Sequence, residues 1–420
     1  MHITLLTGEY PPQPGGVGDY TYRLALSLIQ RNYRVSVITL QHGQWVIYDA
    51  HQSPNNLLSD RYYLPKSYFP AHWDWHCWTA VVAALDRLRP DIVHIQYQTG
   101  AYTMHPAINL LPWRLHGLSR RPGIIVTFHD TLEPYLFPKA GPLRTYVTRR
   151  LANDADHVIV TNGDDATRLT VPSTLIGRLC PWSYRDAGPL PTIIPIGSNI
   201  PVAPPAGYDR QTWRRQLGIR PDESLVVYFG LLSRSKGVDL LLDALAALER
   251  QPASIPQIRL LLIGGAATNP RDQAYAQEIM AQIQRLALQD QVILTGHVDE
   301  STVSAHLLAA DCAVLPFRDG ASFRRGSLLA ALAHGVPVIT TIPTTPISSE
   351  LPPLQHRINI MLVPPVDSAA LAAALQQMLL DQQLQIRLGA AARTLAAQFS
   401  WTEIGQRHDL LYRQIVASHS

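Results

Sequence analysis

A loop rich in glycine, serine and arginine joins an apolar run to an apolar helical pattern in residues 316–340, PFRDGASFRRGSLLAALAHGVPVIT. Gly326 and Ser327 open the predicted helix, whose first amide groups lack partners within the helix and carry partial positive charge. Arg324 and Arg325 directly precede them, and guanidinium groups suit phosphate oxygens. The segment therefore predicts a diphosphate site. Two solvent-exposed arginines followed by an ordinary serine cap would fit the same pattern.

A lysine lies in a second loop, LLSRSKGVD, between another predicted strand and helix. The chain has 35 basic residues, but only positions 66, 139 and 236 are lysines. A compact ammonium group after a strand commonly neutralises phosphate. We therefore expect Lys236 to pair with a phosphate; an ordinary surface lysine is the alternative.

Short apolar runs that alternate with helical patterns must position these loops. The predicted strands begin at His2, Arg34, Asp91, Gly123, His157, Thr192, Ser224, Ile258, Gln291, Cys312, Pro337 and Ile358. Unbroken Val, Ile and Leu runs of this length indicate strands buried on both faces, as in parallel sheets. The sequence therefore predicts an α/β protein with two doubly wound, Rossmann-like domains.

A proline- and glycine-rich stretch at residues 187–208 marks the predicted domain boundary. We expect an N-terminal domain at residues 1–200 and a C-terminal domain at residues 201–400. An amphipathic helix at residues 401–420 follows, and we expect it to pack on the first domain. In open parallel sheets, ligands bind beyond the carboxyl ends of the strands. Facing domains would therefore gather Gly15, His129, Lys236 and Gly296 in one cleft.

The composition excludes several functional classes. A net charge of +3 over 420 residues argues against a dedicated nucleic-acid binder. Three distant cysteines, at positions 77, 180 and 312, form neither a disulfide pattern nor a zinc spacing. The N-terminal segment reaches Glu9 and two prolines too early for a signal peptide, and no 18-residue apolar run is present. We therefore expect a cytoplasmic protein.

Arginines in the first half predict a basic surface that either faces solvent or rests on the inner face of a membrane. They are Arg114, Arg120, Arg121, Arg144, Arg149 and Arg150. The stretch AHWDWHCW at residues 71–78 places histidines, an aspartate and a cysteine close together. Aromatic packing near an acceptor loop suits it better than a metal site. Stacking on sugar rings and a core or lid role both remain open for residues 62–78.

Taken together, the motifs of the whole chain resemble those of glycosyltransferase family 4, group 1, whose fold is called GT-B. The motifs are GEYPPQPGGVGDY, PDIVHIQY, VTFHD, IIPIGSNI, YFGLLSRSKGVDLLLDAL, LLIGG, VILTGHV, AADCAVLPF, ALAHGVPVIT and FSW. They follow the family's order over nearly all residues. The resemblance implies a nucleoside diphosphate sugar as donor and a glycan, lipid or small molecule as acceptor. It also implies transfer with retained anomeric configuration, without a metal ion or a cofactor.

The resemblance implies a role for each matching residue. Lys236 would pair with the donor diphosphate, and His129 would lie against the transferred sugar; these are the expected catalytic residues. Donor contacts would come from glycine loops, a base-flanking turn and the arginine loop: Gly15, Gly16, Gly296, His297, Val298, Asp319, Ser322, Arg324, Arg325, Gly326 and Ser327. Gly15 and Gly16 would allow close approach of the first loop.

Three positions depart from the family's pattern. The two usual glutamates correspond to Ser322 and Ala330, so an expected ribose contact is missing. Asp319 and Gly320 could replace the first Glu-Gly pair in a shifted register. Leu231 stands where an arginine is usual, and Arg324, Arg325 or Arg234 could supply the lost charge.

These departures leave other functions open. One is a catalytically silent homologue that binds nucleotide sugar or assists another transferase. Another is a sugar-nucleotide epimerase, for which the chain offers mainly His129 and Asp130.

Overall fold

The structure is a computed structural model that describes residues 1–13, 15–50, 58, 60–131, 141–170, 190–250, 256–265 and 270–419. The chain divides into two compact units. The first comprises Met1–Ile196 with Trp401–Ser420, and the second comprises Gly197–Ser400. Cys180, Lys139 and residues 187–189 of the predicted boundary lie outside the described residues.

The first unit contains a mostly parallel sheet. Its strands are β1 (His2–Thr7), β2 (Arg34–Gln41), β3 (Gln44–Ala50), β4 (Arg61–Tyr63), β5 (Ile92–Tyr97), β6 (Gly123–Phe128), β7 (His157–Val160) and β8 (Thr192–Ile193). Their order is β4-β3-β2-β1-β5-β6-β7-β8. The helices are α1 (Gly16–Ile29), α2 (Cys77–Leu88), α3 (Leu111–Leu115), α4 (Gly141–Asn153) and α5 (Gly163–Thr170).

All six strands predicted for the first half are present, but the sheet extends further than the sequence patterns indicate. β3 and β4 were not predicted, and they pair antiparallel. The connection between β2 and β3 is the pair His42 and Gly43, both with positive φ (47° and 66°). Such a turn suits a two-residue hairpin.

The second unit contains a parallel sheet with the order β11-β10-β9-β12-β13-β14. Its strands are β9 (Ser224–Phe229), β10 (Ile258–Ile263), β11 (Val292–Gly296), β12 (Cys312–Leu315), β13 (Val338–Thr341) and β14 (Met361–Val363). Its helices are α6 (Arg210–Gln216), α7 (Val238–Glu249), α8 (Pro270–Arg285), α9 (Glu300–Ala309), α10 (Gly326–Ala333), α11 (Ser368–Leu380) and α12 (Gln382–Ala397). The strands predicted for this half are present, and the fold class is confirmed.

Each sheet has a point where the strand order reverses. β1 lies between β2 and β5, and β9 lies between β10 and β12. At such a point the loops leave neighbouring strands in opposite directions, which opens a crevice at the carboxyl ends. The loops that follow β1, β5, β9 and β12 are therefore where a ligand site is expected within each unit.

The last helix, α13 (Trp401–His419), packs on the first unit. Ser27 Oγ donates to the carbonyl of Trp401 at 2.6 Å, and Arg31 donates to the carbonyl of Thr402 at 2.8 Å. Ile404 and Tyr412 are fully buried in the same core as residues of β1 and α1. The chain thus returns to its first unit at its end.

Candidate functional site

In the second unit, loops from neighbouring strands bring Lys236 and Arg325 to one aromatic ring. Lys236 ends a short 3₁₀ helix, Arg234–Lys236, between β9 and α7. Its Nζ lies 5.1 Å from the centre of the Phe317 ring, and the guanidinium carbon of Arg325 lies 5.0 Å from it. Phe317, in the loop after β12, is fully buried. A ring face attracts cations, so Phe317 holds both positive groups near one another.

The surroundings of Lys236 lower its pKa. Burial, and next the charge of Arg325, lower the pKa of Lys236 to about 8, while Asp319 opposes the shift. Asp319 itself forms an ion pair with Arg325. An anion bound beside Lys236 would favour its charged form and raise this pKa. The pair is therefore an electropositive site with a lysine that releases its proton unusually easily.

The start of α10 adds a hydroxyl to this crevice. Ser327 is 9% exposed, and its Oγ is buried and has no hydrogen-bond partner among the described residues. A Cβ atom placed on Gly230, just after β9, would lie 3.9 Å from this oxygen. Gly326 is exposed at the helix start. An unsatisfied buried hydroxyl costs stability, so its presence at a helix start, next to the exposed Gly326, is consistent with ligand binding.

The remaining predicted residues of the arginine loop shape its backbone. The Ser322 carbonyl accepts from the Arg325 amide at 3.0 Å, and Ser322 Oγ accepts from the Arg324 amide at 3.3 Å. Thr344 donates its hydroxyl to the Asp319 carbonyl at 2.6 Å. Ser322 thus forms a turn in place of a glutamate. Ala330, the other glutamate position, is fully buried within α10.

Contacts that sequence reasoning missed tie the lysine and arginine loops together. The Arg318 amide donates to the Ser235 carbonyl at 2.9 Å, and the Arg318 guanidinium pairs with Asp239 at the start of α7. Tyr275 in turn donates to Asp239 at 2.6 Å. No local sequence motif indicates this network, because its residues are distant from one another in the sequence.

Arg234 lies in a different environment from Arg325. It pairs with Glu278, and its guanidinium lies 5.2 Å from the Tyr275 ring. Leu231, which occupies the usual arginine position, is 53% exposed. Of the predicted substitutes, Arg325 lies with Lys236 at the Phe317 ring.

Glycine backbones pack closely at the carboxyl ends of β9, β10 and β11. A Cβ on Gly264, whose φ is 117°, would lie 2.4 Å from the Gly230 carbonyl oxygen. The Gly264 amide donates to the Gly296 carbonyl at 3.1 Å. Two predicted base-flanking residues follow, an exposed His297 and a half-buried Val298. These residues lie two strands away from β9 in the sheet.

In the first unit, the carboxylate of Glu9 occupies the start of α1. Its Oε1 accepts from the amides of Val17 at 2.9 Å and Gly18 at 3.3 Å. A Cβ on Gly15 would lie 2.3 Å from the Glu9 carboxyl carbon, whereas one on Gly16 would meet nothing within 4 Å. The close neighbour of Gly15 is therefore the chain's own Glu9, a residue that the sequence did not single out for this role.

His129, after β6, is a neutral imidazole at neutral pH. Its Nε2 lies 2.9 Å from Gln96 Oε1, and its ring packs edge-on against Tyr20 at 4.6 Å. Burial, helped by the charge of His408, lowers the pKa of His129 to about 3. Because Gln96 presents an oxygen, Nε2 carries the proton and Nδ1 can accept a hydrogen bond.

A buried aspartate fixes the loop that carries His129. Asp165, fully buried at the start of α5, accepts from the Thr131 hydroxyl at 2.5 Å and from Asn162 Nδ2 at 2.6 Å. The Asp165 amide donates to Asn162 Oδ1 at 3.0 Å. This network joins the loops after β6 and β7, and sequence reasoning did not single it out.

The other charged features of the first unit are partly neutralised. Arg120 lies 3.7 Å from Asp91, Arg150 lies 2.8 Å from Asp154, and Arg121 pairs with Asp156. The predicted basic surface is thus less charged than its sequence indicates. Within the part of the chain that the structure describes, no helix could cross a membrane, and no three His, Cys, Asp or Glu side chains lie together as metal ligands.

The two units, each a Rossmann-like α/β body with a parallel or mostly parallel sheet, place the protein in the GT-B fold class. Sucrose-phosphate synthase from Thermosynechococcus elongatus has a TM-score of 0.68 and 23% identity, with 99% of each chain covered. HepE from Anabaena in complex with UDP also has a TM-score of 0.68, with 21% identity over 99% of this chain and all of that one. These likenesses establish the fold.

The sequence comparisons establish the family. Residues 14–170 match Glycosyltransferase Family 4, and residues 209–395 match Glycosyl transferases group 1. The chain belongs to glycosyltransferase family 4, group 1, as its motifs indicate.

Curated relatives carry one recurring name, D-inositol 3-phosphate glycosyltransferase. That of Jonesia denitrificans is 31% identical over 46% of this chain and 44% of its own length. The Corynebacterium diphtheriae relative is 25% identical over 98% of this chain and 92% of its own. The chain thus matches about half the length of the Jonesia protein.

Proposed function

We propose that the protein is a glycosyltransferase that moves a sugar from a nucleoside diphosphate sugar to an acceptor. The observation that carries the proposal is the pairing of Lys236 and Arg325 on Phe317, beside the start of α10. Related structures described as bound to UDP and to UDP-glucose make UDP-glucose the first donor to test.

The proposed transfer retains the anomeric configuration and uses no metal ion. The bond from the sugar C1 to the diphosphate oxygen breaks, and a bond from C1 to the acceptor oxygen forms on the same face. The acceptor proton passes to the leaving phosphate. Lys236, Arg325 and the α10 amides stabilise the charge of that phosphate. Neutral His129 accepts a hydrogen bond from the transferred sugar and orients it.

A thermal-shift screen with UDP-glucose, ADP-glucose and GDP-mannose tests the donor class, because a ligand of the native state raises the melting temperature. Donor consumption with and without EDTA tests turnover and the expected metal independence. Lys236→Ala should abolish the shift, whereas Lys66→Ala, which changes an exposed lysine, should preserve it.

The screen also separates the alternatives. Binding without turnover over a range of acceptors favours a catalytically silent homologue. An epimerised nucleotide sugar formed without acceptor favours an epimerase. A protein that binds none of the nucleotide sugars contradicts the proposal.

A further inference from the structure

Three tryptophans and a histidine form an aromatic surface on the first unit. Trp75 is 49% exposed, and its ring centre lies 5.1 Å from that of Trp78 and 5.3 Å from that of His105. Trp113, 55% exposed, lies 6.2 Å from Trp78. We call these four residues the tryptophan cluster. Large aromatic side chains are usually well buried, so two half-exposed tryptophans in one cluster indicate a contact surface.

The topology places this cluster at the edge of the sheet where ligands bind. Three residues separate the end of α2 from the start of β5, so that end of the helix is at the amino edge of the sheet. α2 is twelve residues long and therefore spans about 18 Å, which brings its start to the carboxyl edge. Trp75 and Trp78 flank this start. His105 follows a 3₁₀ helix, Thr99–Tyr102, that comes directly after β5.

Buried contacts hold the loop that carries Trp75. Trp73 is 3% exposed, and its ring packs edge-on against Trp45 at 4.7 Å and Tyr102 at 4.6 Å. Trp45 Nε1 donates to the Pro70 carbonyl at 2.9 Å. Trp78 Nε1 donates to the Ala107 carbonyl at 2.9 Å. Trp78, against which the exposed rings of Trp75 and Trp113 lie, is thus held in place, and preorganisation lowers the entropy cost of binding.

A carboxylate borders the aromatic rings. Asp74 accepts from the His76 amide at 2.9 Å and from its ring at 3.0 Å. Partial burial works in the opposite direction, but these hydrogen bonds hold the pKa of the Asp74 carboxyl below its usual range. An ionised carboxylate accepts hydrogen bonds from hydroxyl groups. The surface therefore combines electron-rich ring faces with a strong acceptor.

This combination matches a sugar ring. A pyranose has a face of C–H groups, which suits the negative face of an indole, and a rim of hydroxyls, which suits a carboxylate. A membrane surface would call for several lysines and arginines around the tryptophans. Here a carboxylate accompanies the basic residues: Asp74 precedes Trp75, Arg114 follows Trp113, and the Arg144 guanidinium lies 4.0 Å from the sulfur of Met104, beside His105.

We propose that the tryptophan cluster binds sugar rings of an oligosaccharide, so that the acceptor is a carbohydrate chain. The inference rests on the proposed glycosyltransferase function and specifies its acceptor class. Trp75 and Trp113 stack on the rings, and Asp74 accepts from their hydroxyls.

Saturation-transfer NMR with maltopentaose, cellopentaose, chitopentaose and mannopentaose tests this binding on the full chain. At least one pentasaccharide should bind, and Trp75→Ala and Trp113→Ala should each weaken its binding at least fivefold. Tyr68→Ala, which changes a 78% exposed aromatic in the same loop, should leave the binding unchanged. Trp75→Phe should restore part of the affinity, which a purely structural role would not explain. Melting temperatures confirm that each variant is folded.

The outcomes separate the inference from the proposed function. If UDP-glucose raises the melting temperature but none of the pentasaccharides binds, the inference is wrong and the transferase proposal stands. If a pentasaccharide binds through Trp75 but no nucleotide sugar binds, the proposed function is wrong and the sugar surface stands. Binding to vesicles of phosphatidylglycerol and phosphatidylcholine that is lost in Trp75→Ala, without pentasaccharide binding, assigns the cluster to lipid and also overturns the inference.

Discussion

The ammonium of Lys236 and the guanidinium of Arg325 lie 5.1 Å and 5.0 Å from the centre of the same Phe317 ring. Two positive charges held beside one ring repel each other, and a bound anion offsets this repulsion. Burial, and next the charge of Arg325, lower the pKa of Lys236 to about 8. A diphosphate would offset the repulsion, so binding and protonation of Lys236 are linked.

This linkage predicts that donor affinity falls as the pH rises through about 8. Below this pKa the free protein already carries the charged Lys236 that the diphosphate requires; above it, binding must also take up a proton. The Kd for UDP-glucose measured by calorimetry from pH 6.5 to 9.5 should rise above pH 8. Lys236→Arg keeps its charge throughout and should flatten the profile. An equally steep profile in that variant would assign the effect to another group.

The Ser327 hydroxyl is predicted to contribute to donor binding and not to the stability of the fold. Its buried Oγ lacks a partner, which is unfavourable in the free protein, so Ser327→Ala should raise the free energy of unfolding by about 1 kcal/mol. Donor affinity should fall about fivefold, since a hydrogen bond contributes roughly 1 kcal/mol. Ser304→Ala is the contrast: Ser304 Oγ lies 2.9 Å from His334 Nε2 and accepts from the Ala203 amide, so its loss should destabilise without affecting the donor. Unchanged donor affinity in Ser327→Ala would exclude the hydroxyl from the site.

The sequence predicts those parts of the molecule whose signals are local. Unbroken apolar runs located all twelve predicted strands, and the glycine and serine after the arginine pair located the start of α10. The roles of Phe317, Glu9 and Asp165 were not predictable in this way. Each depends on partners brought together by the fold, such as Lys236 with Arg325 or Asp165 with Thr131. The β2–β3 hairpin was missed although its His-Gly turn is local, because the following strand interrupts the parallel pattern.

Asp165 is predicted to position the loop of His129. Asp165→Asn keeps the shape of the side chain but replaces one acceptor oxygen with a donor, so the bonds from Thr131 and Asn162 cannot both persist. We expect a loss of about 2 kcal/mol in unfolding free energy and a lower kcat, with the Kd for UDP, which carries no sugar, nearly unchanged. Asp86→Asn, at an exposed position of α2, is the matched control. Loss of stability with an unaltered kcat would limit Asp165 to a structural role.

Gly237, next to Lys236, should not tolerate alanine. Its φ is 70°, and an added Cβ would lie 2.1 Å from the Pro316 carbonyl oxygen. Gly43 has a similar φ of 66° but open space around it, so Gly43→Ala measures backbone strain alone, about 1 kcal/mol. Gly237→Ala should cost at least about 2 kcal/mol more in urea unfolding and should weaken donor binding, because the clash moves the two loops apart. If both variants lose the same free energy of unfolding, the Pro316 carbonyl can move away from the added Cβ at little cost.

His408 is predicted to make the protein sensitive to acid. It is fully buried on α13, with its ring centre 5.6 Å from that of His94, and its Nε2 has no partner among the described residues. Burial lowers the pKa of His408 to about 4 in the native state, against about 6.5 when unfolded. The unfolded chain therefore binds the extra proton first, and stability present above pH 6.5 is lost progressively down to about pH 4. A pKa shift of this size corresponds to roughly 3 kcal/mol of stability.

His408→Phe should reduce the stability difference between pH 7 and pH 4.5 in urea unfolding, and His72→Phe, at an exposed position, should leave it unchanged. If both variants keep the full difference, other buried groups cause the acid sensitivity.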